Sequence, residues 1–355
     1  MYRGYTMMRA KSLGIALTAI LSLAPAAVAS AAPYSGPIID AHNHWTPSRT
    51  VAKVLKLMEQ HRVSATVLMA RQYGDPKSKV DLPGTDQMTL ELAQKYPGKF
   101  FPLVGMQLPM LTPADWNQPN EGMERLYKLT AEKLASGRFY GIGEIIIRHY
   151  PYFNHPVTDG PNMDVRKEPN TEHMRRLAEI AIKYDRPMVI HMEGEPPLVA
   201  SLDAFLAQHT DLTLIWAHAC GRVQPSLIES MLAKHRNLYC DLATMTNTYQ
   251  GYGYAVGRNY PERKGWPSAY AWTYLIEENG KFFPETKRVI ERFPDRFLGV
   301  GMDNAHMEIS EASYTARMQR FRELLGTLAP DVAQKLAYKN PARVFRLDVP
   351  SAPMR

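Results

Sequence analysis

The sequence is poor in cysteine: Cys220 and Cys240 are the only two among 355 residues. Two cysteines cannot build a disulfide-rich scaffold or a cysteine-ligated zinc or iron–sulfur site. Any metal must therefore be bound by imidazole and carboxylate groups. In an oxidising compartment the two thiols could pair, but we expect two buried free thiols.

A strong charge of one sign is also missing. The chain has 42 Lys and Arg against 35 Asp and Glu, a net charge of +7. Three of these cations, Arg3, Arg9 and Lys11, lie in the N-terminal segment. The remaining excess is small and evenly spread, so we expect no nucleic-acid partner. With 45% hydrophobic and 22% charged residues, the chain has enough apolar material for a large core and is not disordered.

Long hydrophobic runs are absent after the N-terminus, so no later segment is expected to span a membrane. The N-terminus has a positive start at Met7–Lys11, an apolar run at Ser12–Ala29 and the small-x-small pattern Ala29-Ser30-Ala31. This pattern is typical of a cleaved secretory signal peptide. A membrane anchor is the alternative, but a proline and several alanines shorten the strongly apolar part below the roughly 20 residues that an anchor needs.

We therefore predict a signal peptide at residues 1–31 and a single domain at residues 32–355, exported to the periplasm or secreted. Short apolar or β-branched runs predict eight strands: Pro37–His44, Ser64–Ala70, Phe100–Gln107, Phe139–Ile147, Pro187–Glu193, Leu212–Ala219, Leu238–Thr244 and Phe297–Asp303. Segments with helical periodicity lie between them: Val51–His61, Asp86–Tyr96, Met123–Ala135, Glu172–Tyr184, Leu198–His209, Pro225–His235 and Glu285–Phe293, with a last one from Glu311 onward.

Strict alternation of strands and helices favours a parallel sheet with helices outside, and eight such units close a (β/α)8 TIM barrel of the α/β class. A doubly wound open sheet is the alternative, but no glycine-rich dinucleotide motif follows an early strand. The connections Arg148–Asn170 and Met245–Pro284 are long, and they follow strand ends on the catalytic face. They either enclose a substrate or are simple excursions of the chain.

Residues that can bind metals end several of the predicted strands. His42 and His44 lie two apart on the first strand and so share a face, with Asp40 one layer below them. The fourth predicted strand carries Glu144, and the fifth, sixth and eighth end at His191, His218 and Asp303. A single histidine is usually a satisfied core or surface residue, but this many polar groups at the inner ends of apolar strands need partners or a metal to be satisfied. We assign the remaining histidines to the surface: His61, His155, His173, His209 and His235, with His306 as a candidate proton carrier.

The motifs resemble the amidohydrolase superfamily, in its amidohydrolase-related branch of TIM-barrel metal-dependent hydrolases. They are Ile39-Asp40-Ala41-His42-Asn43-His44, Gly143-Glu144, Val189-Ile190-His191, Trp216-Ala217-His218, Gly301-Met302-Asp303 and the closing Asn340-Pro341-Ala342-Arg343-Val344-Phe345. The resemblance implies that His42, His44, His191 and Asp303 bind a metal. It implies that His218 binds a second metal or the substrate, and it permits Glu144 to bridge two metals. Glu144 as a hydrogen-bond acceptor, or as a partner of Arg148 or Arg222, is the alternative.

Imidazole and carboxylate ligands suit Zn²⁺ first, with Mn²⁺, Fe²⁺ or Co²⁺ as alternatives, at one or two ions per chain. We expect the metal to activate a water molecule, with Asp303 accepting its proton and His218 holding the developing oxyanion or a second metal. Substrate contacts are expected from residues that follow the strands: Trp45, Arg71, Arg148, His149 and Arg222. The aromatic stretch Tyr249–Tyr274 indicates a pocket for a flat apolar group or a lid packed on the barrel.

Three functions follow as hypotheses. The first is hydrolysis of an ester, lactone or amide bond, which Glu144 favours. The second is non-oxidative decarboxylation of an aromatic or unsaturated acid with one metal, and the third is a catalytically silent exported binding protein. We expect a small-molecule substrate that is aromatic or bears a carboxylate, and no stable membrane anchor. Whether the chain forms a homo-oligomer is left open.

Overall fold

Parallel strands and helices alternate along the chain, as the sequence predicts. The computed structural model describes residues 32–45, 50–70, 85–106, 116, 120–149, 165–245, 275–277, 280–304 and 311–349. Its strands are β1 (Ile38–Trp45), β2 (Val63–Ala70), β3 (Phe100–Leu103), β4 (Ile142–His149), β5 (Val165–Arg166), β6 (Met188–Met192), β7 (Leu214–Trp216), β8 (Leu238–Asp241) and β9 (Phe297–Leu298). The short β5, which the sequence did not predict, pairs antiparallel with the end of β4.

The helices cover the ring of strands and begin close to the predicted residues. They are α1 (Val51–Gln60), α2 (Asp86–Lys95), α3 (Glu121–Ala135), α4 (Glu172–Lys183), α5 (Pro196–Gln208), α6 (Pro225–Lys234), α7 (Pro284–Arg292), α8 (Glu311–Gly326), α9 (Pro330–Gln334) and α10 (Asn340–Phe345). Helix α3 starts two residues earlier than predicted because the side chain of Asn120 accepts a hydrogen bond from the Met123 amide at 3.1 Å. Within the described residues, no helix is long and apolar enough to cross a membrane.

The strands form an α/β TIM barrel. They pair in the orders β1-β2-β3 and β5-β4-β6-β7-β8-β9, and a parallel bridge between Val104 and Ile142 joins the two groups. On the other side, the Ala41 amide donates to the Val300 carbonyl and the Asp303 amide to the His42 carbonyl, each at 2.8 Å. The first and last strand segments are therefore neighbours, which brings the predicted ligands of β1 next to Asp303.

Two layers of apolar packing hold the barrel. One cluster fills the lower interior of the ring and includes Ile39, Ala41, Val189, Ile215 and Phe345. A larger cluster lies between the strands and the surrounding helices. Apolar side chains thus fill the lower part of the barrel interior, and the polar side chains described below lie at the rim formed by the C-terminal ends of the strands.

Two histidines assigned to the surface are buried, which corrects the sequence interpretation. His173 is 3% exposed, and its Nδ1 forms a hydrogen bond of 2.9 Å with the Tyr127 hydroxyl. His235 is 5% exposed, and its Nε2 lies 2.6 Å from Oδ1 of Asp203. Each sits on or beside a helix that packs against its neighbours, so the helical position did not imply exposure.

Candidate metal centre

The two histidines of β1 reach the centre through a bulge in the strand. The β1–β2 register shifts between Asp40 and Asn43, so one extra residue reverses the alternation of faces. Below the bulge, Ile39 and Ala41 face the barrel interior, so Asp40 points away from it. The prediction that Asp40 lies on the same face as the histidines was wrong for this reason. Burial raises the pKa of Asp40 to about 7, and the Met302 amide donates to it at 3.0 Å.

Glu144 lies among four imidazoles. Its Oε1 is 3.7 Å from Nε2 of His42, 3.2 Å from Nδ1 of His191 and 3.4 Å from Nε2 of His218. Its Oε2 is 3.5 Å from Nε2 of His44. The side chain is 3% exposed, so this carboxylate is surrounded by nitrogen donors and almost cut off from solvent.

Asp303 completes the rim. Its Oδ1 lies 3.3 Å from Nε2 of His44 and 3.7 Å from Nε2 of His42. Among the described residues, two groups have ligand atoms within 4.8 Å of one another, namely His42, His44 and Asp303, and His42, Glu144 and His218. His191 adjoins the second group, because its Nδ1 lies 2.9 Å from Nε2 of His218. The structure therefore brings all six predicted ligands together.

The charges of the centre depend on one another. Burial would raise the pKa of Glu144, but the imidazoliums of His42 and His191 outweigh it and hold this pKa well below the usual value. Burial would likewise lower the pKa of His42, yet the carboxylates of Asp241 and Glu144 raise it to about 10. Burial alone would raise the pKa of Asp303, but a hydrogen bond from His44 and the charge of His42 hold this pKa below its usual value. Two anionic carboxylates thus require cations between them.

A divalent metal ion fits this donor set. The Nδ1 of His42 donates to Asp241, and its buried Nε2 has no hydrogen-bond partner among the described residues. The Nδ1 of His218 donates to the Ala243 carbonyl at 3.0 Å, so its Nε2 lone pair faces Glu144. Imidazole lone pairs directed at two carboxylates are typical metal ligands. An ion here would replace the protons that His42 and His191 otherwise carry.

Asp241 is a functional residue that the sequence interpretation missed. Its Oδ2 accepts from Nδ1 of His42 at 2.9 Å, and its Oδ1 accepts from the His218 amide at 2.9 Å. Glu193 was missed as well, and its Oε1 lies 3.2 Å from Nε2 of His191 and contacts Arg222. Asp241 ends β8, so the same strand-end argument that selected the ligands would have found it.

His218 begins a left-handed turn, Ala217–Arg222. His218, Ala219, Cys220 and Arg222 have φ between 53° and 58°, and Gly221 has φ 75°. The predicted strand Leu212–Ala219 ends at Trp216 instead. Left-handed backbone costs roughly 1–2 kcal/mol for each residue with a Cβ, so surrounding contacts must hold this turn. At Gly221 an added Cβ would lie 2.2 Å from the Met192 carbonyl oxygen, which leaves room only for glycine.

A disulfide joins this turn to β8. Cys220 and Cys240 are bonded, with their Cα atoms 5.0 Å apart, and both residues are fully buried. The expectation of two free thiols was wrong. The two cysteines are 20 residues apart in sequence, and only the pairing of β7 with β8 brings them together.

The predicted substrate residues lie in different surroundings. Trp45 is 4% exposed and packs on Phe100. Arg148 contacts Glu195 and donates to the Val165 carbonyl at 2.9 Å. The ring of His149 lies 4.9 Å from that of His191, and Arg222 binds Glu193. Their substrate contacts stay predictions, and the remaining ones, Arg71, His306 and Tyr249–Tyr274, lie outside the described residues.

The family model described as Amidohydrolase matches residues 39–347, which is nearly the whole barrel. The chain belongs to the amidohydrolase family. This amidohydrolase is therefore an enzyme of a metal-dependent superfamily, and the resemblance seen in the sequence is confirmed. No match is found among curated protein sequences.

Solved structures share the fold. An uncharacterized TIM-barrel protein from Bordetella bronchiseptica has 14% identity and a TM-score of 0.52, covering 84% of this chain and 83% of that one. A probable 2-pyrone-4,6-dicarboxylic acid hydrolase from Acinetobacter baumannii, solved with citric acid bound, has 13% identity and a TM-score of 0.50, covering 88% and 100%. A 2,6-dihydroxybenzoate decarboxylase from Rhizobium has 12% identity and a TM-score of 0.49, covering 89% and 99%. At these identities the first two likenesses show the fold alone.

Proposed function

We propose that this amidohydrolase is a metal-dependent hydrolase that cleaves an ester, lactone or amide bond of a small molecule. The observation that carries the proposal is the placement of Glu144. One oxygen faces His42, His191 and His218, and the other faces His44. A buried carboxylate that faces four imidazoles in this way would suit a two-metal hydrolase centre, where it would help to hold the ions.

His42, His44, Glu144, His191, His218 and Asp303 would hold the metal. When bound, a divalent ion lowers the pKa of a water ligand to about 7 and polarises a carbonyl group. Asp303 is 16% exposed at its side chain, more than its neighbours at the centre, so it can meet both water and substrate. It accepts the proton of the attacking water and returns it to the leaving group.

We propose zinc as the metal, because three or four imidazoles with carboxylates match its preferred ligands. We also propose that the protein is exported after removal of residues 1–31. The Cys220–Cys240 disulfide supports export, since disulfides persist mainly in oxidising compartments.

The test combines metal analysis with two activity assays. The purified protein is analysed for metal per chain, then offered a panel of esters, lactones and amides while acid release is followed. Carbon dioxide release from aromatic acids is measured in parallel. We expect two ions per chain, and a loss of hydrolysis of at least about 100-fold in Glu144→Gln, because a ligand matters more than an outer-shell group. Glu229→Gln, which affects a surface pair with Arg288, is the matched control.

Two results would overturn the proposal. One ion per chain, with carbon dioxide release that survives Glu144→Gln, would assign decarboxylation. Metal and ligand binding without turnover of either substrate class would assign a binding protein.

A further inference from the structure

We propose that the Cys220–Cys240 disulfide is a positional clamp for His218, so that breaking it weakens metal binding while the barrel stays folded. The inference rests on the proposed metal site. It makes Cys220 and Cys240 positioning residues, because they act through His218 and do not touch the reacting groups.

The clamp is needed because His218 does not reach the centre by strand geometry. Ala217 faces the barrel interior, so a continued strand would turn the next side chain to the opposite face. The left-handed turn starts at His218, with φ 58° and ψ 57°, and it directs the imidazole inward to 2.9 Å from His191. The position of this imidazole therefore depends on a backbone conformation that residues with a Cβ avoid.

The disulfide lies at the middle of the turn and ends beside Asp241. Cys220 has φ 54° and ψ 52°, and its partner Cys240 directly precedes Asp241 in β8. Asp241 accepts from the His218 amide and from Nδ1 of His42. The covalent link thus fixes the turn to the residue that orients two imidazoles of the centre.

Non-covalent contacts hold the far end of the turn. Arg222 binds Glu193, and the Gly194 amide donates to the Gly221 carbonyl at 3.0 Å. The amide of His218, by contrast, depends on its bond to Asp241. Loss of the disulfide should therefore loosen residues 218–220 first and leave the barrel intact.

A disulfide can also act only on global stability, by restricting the unfolded chain. Loss of that effect lowers the melting temperature but leaves metal affinity unchanged. A local clamp predicts a loss of affinity that depends on which residue replaces Cys220. Glycine adopts left-handed dihedrals without the cost that alanine carries, so the two replacements should differ.

The experiment compares wild type with Cys220→Ala/Cys240→Ala and Cys220→Gly/Cys240→Ala. Zinc affinity is measured by competition with a chromophoric chelator, and amide exchange of residues 217–222 is followed by mass spectrometry in metal-free protein. We expect the alanine pair to bind zinc about 10- to 100-fold more weakly, the range for residues that orient ligands, with faster exchange in the turn. The glycine variant should recover most of the affinity. Leu232→Ala, on the buried face of α6, is the control that lowers stability alone.

The outcomes separate the two proposals. Unchanged zinc affinity and unchanged exchange in the alanine pair would overturn the clamp, as would equal affinity losses in the alanine pair and Leu232→Ala. Should the alanine pair fail to fold, reduction of folded wild type with a phosphine, checked by thiol counting, gives the same comparison. A wild-type chain that binds no zinc would overturn the proposed function, and the clamp is then decided by exchange alone.

Discussion

Asp241 accepts a hydrogen bond from Nδ1 of His42 at 2.9 Å, and both side chains are almost completely buried. This contact selects the tautomer of His42 that leaves Nε2 directed at Glu144 and Asp303. Because Asp241 also accepts from the His218 amide, one carboxylate orients groups that arrive from two separate strands. The geometry of the candidate metal centre therefore depends on Asp241, a residue outside the six proposed ligands.

Replacing this carboxylate by its amide should weaken the centre. In Asp241→Asn the oxygen can still accept from the His218 amide, but the new NH2 group cannot accept from His42. We expect zinc affinity to fall about 10- to 100-fold, measured by chelator competition. Asp203→Asn is the matched control, since Asp203 pairs with His235 on the helical layer. Equal losses of affinity in both variants would contradict the role of Asp241.

Metal removal should lower stability. Zinc that binds the folded chain and not the unfolded one, at 100 times its dissociation constant, adds about 2.7 kcal/mol to the free energy of unfolding. Urea unfolding with zinc and with a chelator measures the difference. His42→Ala should show nearly the same unfolding curve under both conditions. Equal free energies of unfolding for the wild-type chain with zinc and with chelator would argue against the metal centre.

Acid should destabilise the protein partly through His173. Burial, and then the cation of Lys167, lower the pKa of His173 to about 3, from 6.5 in the unfolded chain. Between these values the unfolded chain binds a proton that the folded chain excludes, so stability falls as the pH drops below 6.5, by about 1.4 kcal/mol per pH unit. Above pH 6.5 this residue adds no pH dependence.

The variant His173→Gln isolates this effect, because glutamine can still accept from Tyr127. Urea unfolding from pH 7 to pH 4.5 should give a steeper slope for wild type, by about 1.4 kcal/mol per pH unit. The metal centre titrates in both proteins and cancels. Parallel slopes would mean that His173 can be protonated in the folded state.

Arg148 should prove important for stability, whatever it contributes to substrate binding. It contacts Glu195, and both residues are buried. Among the described residues, Arg148→Met leaves that carboxylate with one ion pair, to Arg166 at 3.2 Å. We expect a loss of about 3 kcal/mol in urea unfolding, and a smaller loss in Arg148→Met/Glu195→Gln. Arg148→Lys with unchanged stability and a raised KM would instead assign a substrate contact.

The strands and the positions of the predicted ligands follow from local pattern. His191 and Asp303 lie at the ends of apolar runs, and that position alone places them on the rim of a barrel. His218 was predicted by the same rule, yet it arrives by a left-handed turn that no pattern of alternation indicates. The bulge after Asp40 and the pairing of Cys220 with Cys240 depend on neighbouring strands, so a single sequence cannot show them.

The backbone hydrogen bond from the Asp303 amide to the His42 carbonyl joins residues that are synthesised far apart in time. During translation His42 and His44 emerge early and Glu144 follows, whereas Asp303 emerges near the end of the chain. A nascent or truncated chain that lacks Asp303 has an incomplete set of ligands, so we expect it to bind a metal ion only weakly. We therefore expect tight metal binding only after the segment that carries Asp303 has folded beside β1.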